Sequence, residues 1–142
     1  MSKKKLHYLT VQDLLFVNLQ VDKKVNTFDF AALEDASFFQ YGYGQSTDIL
    51  TQASRFYRGF LEKAPFTAGN EGTALVGALT FLAINGYTLK GRESEAPARL
   101  TELSRDLISY EDIDEHGEPD IHGAIADVMS RYGKVLKNSA VA

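Results

Sequence analysis

A chain of 142 residues with 44% hydrophobic side chains can bury a core as one domain, 1–142, which argues against a disordered chain or a small stapled module. The absence of cysteine removes disulfides, zinc–thiolate centres and thiol nucleophiles together, and it fits a reducing cytoplasm, the expected location. A formal charge of -4, from 15 basic and 19 acidic side chains, argues against a nucleic-acid partner, and the longest apolar stretch, Ala74 to Ile84, is too short to span a membrane.

Lys3-Lys4-Lys5 reads as a solvated tail, with no apolar segment of secretory length behind it. Thr10 is placed to cap a helix over Val11 to about Lys24, with Asp13 completing a capping box. A second short helix is expected across Asp29 to Phe38, turning Phe30, Leu33 and Phe38 inward. Phe39-Gln40-Tyr41-Gly42-Tyr43-Gly44-Gln45 then breaks the period. Its aromatics Phe39, Tyr41 and Tyr43 make it a candidate partner-binding loop, or else a loop packed on the body.

Ser46 or Thr47 is expected to cap a third helix, where Ile49, Ala53, Phe56, Tyr57, Phe60 and Leu61 form an inward stripe. Pro65 ends it near Glu62 or Lys63. A fourth helix starting at Gly69 or Asn70 and reaching Ile84 is apolar on more than one face, so it should be central and buried. Asn85-Gly86 supplies a left-handed stop, after which Tyr87-Thr88-Leu89 is short and extended. Beyond a charged connector, Lys90 to Pro97, a helix is expected over Ala98 to Ile108. A last one starts after Pro119 and continues through Leu136. The fold class is all-α, a compact multi-helix domain with at most a very short β element.

The chemistry-bearing segment is 64–87. The start of the fourth helix aims free backbone N–H groups into the Gly69-Asn70-Glu71-Gly72-Thr73 loop, a geometry that favours an anion, while Glu71 sets a negative charge in the same turn. Gly69, Asn70 and Thr73 are therefore candidate anion-binding residues, although Asn70 and Thr73 also suit local capping. The segment lacks the lysine and the spacing of a P-loop.

Ala64 to Tyr87 resembles the Fic/Doc (Fido) domain family, especially its compact death-on-curing toxins. The family signature reads His-Pro-Phe-x-Asp-Gly-Asn-Lys-Arg-Thr-Ala, and its helix often ends in Asn-Gly-Tyr. This chain keeps Pro65, Phe66, Gly69, Asn70, Thr73, Ala74 and Asn85-Gly86-Tyr87, and Tyr8-Leu9-Thr10-Val11-Gln12-Asp13 is similar to a Doc-type opening. The resemblance implies an all-helical fold, transfer of AMP or phosphate from ATP with magnesium to a protein hydroxyl, and, for Doc toxins, restraint by an antitoxin.

The departures fall on the chemical positions. Ala64 stands where the family has its proton-accepting histidine, Ala68 where it has its acidic metal ligand, and Glu71 and Gly72 where it has its basic pair. Glu71 reads as an exposed first-turn carboxylate, the alternative being a replacement metal ligand or base. The histidines His7, His116 and His122 have no zinc spacing, and the acidic run Asp112, Asp114, Glu115, Glu118 and Asp120 lacks EF-hand order. No catalytic residue and no metal ligand is assigned, and no cofactor is expected. The expectation is a degenerate domain that binds a protein partner or antitoxin, with little or no transferase activity. The alternative is an AMP-transferase or Doc-like kinase using ATP and magnesium with a rearranged base and metal site.

Overall fold

The computed structural model describes residues 6–42, 48–112 and 118–141. The described chain is mainly helical. Helix α1 (Val11–Asp22) opens on the expected capping box: the Asp13 N–H donates to Thr10 Oγ1 at 3.0 Å and the Thr10 N–H to Asp13 Oδ2 at 2.8 Å. It stops two residues short of Lys24, because Lys23 takes a left-handed conformation at φ 60°.

Helix α2 (Phe30–Phe38) is capped by Asp29, whose carboxylate accepts the Ala32 N–H. Its inward residues are Leu33 and Ala36. Phe30 and Phe38 are 58% and 44% exposed, which corrects the expectation that both turn inward. On a nine-residue helix the stripe facing α3 is narrow. Leu33 and Ala36, three residues apart, fill it and leave the two end rings outside.

Helix α3 (Ile49–Lys63) is capped by Asp48, not by Ser46 or Thr47, which lie outside the described residues. Its stripe of Ile49, Ala53, Phe56, Tyr57 and Phe60 is buried as expected. Helix α4 (Asn70–Ala83) is buried from Gly72 through Leu82 and packs against α1, α3 and the later helices, so its apolar circumference is fully used. Gly77 brings α4 close to Phe56 of α3, and a Cβ there would meet that ring at 3.0 Å.

After α4 the chain turns through Gly86 at φ 90° into strand β1 (Tyr87–Leu89). This strand pairs antiparallel with β2 (Ile108–Tyr110), Tyr87 opposite Tyr110 and Leu89 opposite Ile108. The expected helix over Ala98 to Ile108 is therefore replaced. Helix α5 (Ala96–Leu100) is short, and a 3-10 turn over Arg105–Leu107 leads into β2. Hydroxyls compete with the helix here: Thr101 Oγ1 donates to the Ala98 carbonyl, Ser104 Oγ to Asp106 Oδ1, and Ser54 Oγ accepts the Leu103 N–H.

The last expected helix is present in two pieces, α6 (Ile121–Arg131) and α7 (Gly133–Val141), with Asp120 capping the first. The break falls at Tyr132, whose buried ring fixes the chain just before the conformationally loose Gly133.

One polar atom on α4 is left alone in the core. Thr80 is fully buried, and its hydroxyl has no hydrogen-bond partner among the described residues. Thr80→Val keeps the shape and removes that hydroxyl, so it is expected to raise unfolding stability by about 1 kcal/mol. A urea midpoint that stays the same or falls would contradict the assignment.

Candidate functional site

The end of α3, the first turn of α4 and the start of α5 enclose a cleft of about 450 Å³. Tyr57, Leu61 and Ala64 line it from α3, Asn70, Glu71 and Leu75 from α4, and Pro97 from α5. The part of the chain that carries the motif therefore borders a concave surface. Not every motif residue faces it.

Ala64 does. It is the exposed C-cap of α3 in a left-handed conformation, φ 42°, and its N–H donates to the Phe60 carbonyl. Asn70 also lines the cleft, but its amide is engaged: Oδ1 accepts the Phe66 N–H at 3.0 Å and Nδ2 donates to the Phe66 carbonyl at 2.7 Å. The N-cap expected of Asn70 belongs instead to Gly69, at φ 79°, and Asn70 is the first helical residue. Its side chain organises the loop by closing it on Phe66.

Ala68, Gly69, Gly72 and Thr73 face the other way, toward α1 and α7. The Ala68 carbonyl accepts from Asn18 Nδ2 at 3.0 Å and from Asn26 Nδ2 at 3.2 Å. Thr73, fully buried, donates its hydroxyl to the Gly69 carbonyl and accepts from Asn18. Asn26 closes the network by donating to Asn18 Oδ1 and to Asp22 Oδ2. A Cβ on Gly69 would lie 3.0 Å from Asn18 Nδ2 and 3.5 Å from the Asp22 carboxyl carbon. At Gly72 a Cβ would come within 2.4 Å of Val21 Cγ1 and 3.3 Å of Leu136 Cδ2. Gly72 is thus a close-packing residue, with no room for a long side chain unless α1 and α7 move.

Glu71 and Tyr57 carry the polarity of the cleft. Glu71 is exposed in the first turn of α4 and makes no ion pair among the described residues. Tyr57 is 5% exposed, and burial, reinforced by the Glu71 charge, holds its phenol above the ordinary value of 10.0. At neutral pH it is an uncharged hydroxyl able to donate or accept a hydrogen bond, and a poor proton acceptor for catalysis.

The aromatic loop is divided. Phe39 caps the end of α2 and packs its ring over Gly59, where an added Cβ would meet the ring at 2.3 Å. Tyr41 packs against Tyr8 with centroids 4.3 Å apart, and Tyr43 lies outside the described residues. Phe39 also borders a second hollow of about 470 Å³ with Asp35, Phe38, Arg55 and Lys63. His122 stacks on Phe16 at 4.2 Å, and Asp120 of the acidic run is the α6 cap. His116, Asp114 and Glu115 lie outside the described residues.

Two groups of residues escaped the sequence reading. Asn18 and Asn26 hold the motif loop from behind, and Tyr57 presents a polar end to the cleft. Asn18 had a visible signal, since it stands beside Val17 and one turn after Leu14 on the inward face of α1. Tyr57 had none, because its ring belongs to the α3 stripe.

Replacing Asn18 by alanine is expected to destabilise the fold by about 2 to 3 kcal/mol, because it strips three hydrogen bonds from a buried, connected network. Chemical denaturation measures this, and a loss below about 0.5 kcal/mol would show that the network contributes little. Gly72→Ala is expected to cost about 1 to 3 kcal/mol through the contact with Val21. Ala64→His should be nearly neutral, since histidine tolerates a left-handed conformation and the site is exposed. The reverse order of the two would mean that the packing described at Gly72 is wrong.

No protein-family model matches the chain, and neither a curated protein nor a solved structure matches it.

Proposed function

We propose that this chain is a catalytically degenerate Fic/Doc-like domain, acting in the cytoplasm, that binds a protein partner at the cleft instead of transferring a phosphate-containing group there. One observation carries the reading. Among the described residues the ionisable groups lining the cleft are Glu71 and the neutral phenol of Tyr57, and Ala64 offers a methyl group where the family signature has its histidine.

ATP with magnesium does not fit this donor set. A transferring phosphoryl group needs positive charge around its oxygens, and this turn supplies a carboxylate. Ala68 has no ligand atom on its side chain, and its carbonyl is already held by two amides. Asn70 and Thr73, the polar motif residues retained, spend their side chains on Phe66 and on Gly69 and Asn18. Their presence is explained by the loop they hold, without a bound anion.

A protein partner, such as an antitoxin-like segment, is the occupant this reading favours. The aromatics Phe38 and Phe39, beside the second hollow, offer it apolar contact area.

The test is transfer itself. Purified protein incubated with magnesium, candidate hydroxyl-bearing proteins and ATP labelled in either the α- or the γ-phosphate is expected to leave no covalent label above background. Robust labelling that disappears in Glu71→Ala would overturn the proposal and support an enzyme with a reassigned carboxylate.

A further inference from the structure

The same cleft has a chemistry of its own. Tyr57 is 5% exposed and lines the cleft, yet its hydroxyl makes no hydrogen bond among the described residues. Its oxygen is not sealed in the core as Thr80 Oγ1 is, so it opens onto the cleft and is available to a ligand there. Glu71, also in the wall, makes no ion pair among the described residues, and none of the described residues lining the space is basic.

The sign of the local field follows from comparing two charges. The positive end of α4 is worth about half an elementary charge, whereas the Glu71 carboxylate carries a full negative one. The wall is therefore net negative, and it attracts a cation more strongly than an anion. Behind the polar pair, Leu61, Leu75 and Pro97 give apolar walls to a volume of about 450 Å³.

We propose that this cleft binds a primary ammonium carried on an alkyl chain. Glu71 serves as counter-ion, the Tyr57 hydroxyl accepts a hydrogen bond from the ammonium, and the leucines with Pro97 cover the methylenes. An ammonium has three donors and no acceptor, so it suits a carboxylate and a phenol oxygen. A phosphate meets the opposite conditions at each of these groups. The inference rests on the binding reading of the site and gives it an occupant: a lysine side chain of a partner, or a free alkylamine with the same chemistry.

The experiment is a titration of the full chain with amide chemical shifts as the readout. The probes are n-pentylamine, Nα-acetyl-lysine methylamide, 1-pentanol and inorganic phosphate. Both amines are expected to give saturable shifts at Tyr57 and over residues 70–75, and neither pentanol nor phosphate should do so. Glu71→Gln should weaken amine binding by about fivefold, the size expected for a partly exposed ion pair. Tyr57→Phe should weaken it by about threefold, consistent with the loss of one hydrogen bond. Both variants keep side-chain size, so folding is preserved, and unchanged shifts elsewhere verify it.

Tighter binding of the lysine derivative assigns the site to a protein side chain, and tighter binding of pentylamine assigns it to a free amine. Shifts equal with pentanol, saturation by phosphate, or affinity unchanged in Glu71→Gln would each overturn the proposal. The transfer assay is independent of these readings. Covalent labelling together with amine binding removes the binding-only function and keeps this site, whereas silence in both assays removes this site alone.

Discussion

The architecture around the motif depends on the buried amide of Asn18. Standing on α1, it donates to the Ala68 carbonyl and to the Thr73 hydroxyl, so one side chain fixes both the loop before α4 and the first turn of α4. Asn26 and Asp22 extend the same network along the end of α1. A buried amide with an unmade bond is costly, and this requirement selects one depth and one rotation for α4 against α1. The cleft on the opposite face of α4 inherits its geometry from that choice.

Once α4 is seated, the composition of the motif becomes intelligible without catalysis. Gly69 has to be left-handed and close to Asn18, and Gly72 has to let Val21 and Leu136 approach. Asn70 has to close the loop on Phe66, whose neighbours are paired with the segment before α2: the Asp29 N–H donates to the Pro65 carbonyl and the Thr67 N–H to the Thr27 carbonyl. Packing and loop closure account for each of these residues. The polar face left toward the cleft then consists of groups that packing does not use, Glu71 and the hydroxyl of Tyr57.

Much of the fold was legible because it follows from local rules. The capping box at Thr10, the apolar stripe of α3 and the all-round apolar α4 each fix an element from neighbouring residues. What the sequence hid depends on distant contacts. Ile108 joins a strand because Leu89 lies beside it, and the chain from Ala98 gives no local hint of that pairing. Phe30 and Phe38 stay outside because Leu33 and Ala36 already fill the stripe. At the site, the motif positions were readable as letters, but not the direction each faces: Ala64, Asn70 and Glu71 toward the cleft, Thr73 and Gly72 toward α1 and α7.

Three amide side chains treat the main chain in the same manner. Asn85 accepts the His7 N–H and donates to the His7 carbonyl, Gln40 does both to Leu9, and Asn70 does both to Phe66. Each amide stands in for a strand neighbour at a single residue. Such a clasp is blind to the side chain it holds, so position 7 is free to drift, while positions 9 and 66 answer only to the core around them. The clasping residues have no such freedom. One methylene more at 70 or 85, or one fewer at 40, puts the amide out of register, so exchange between asparagine and glutamine is far from conservative at these three positions.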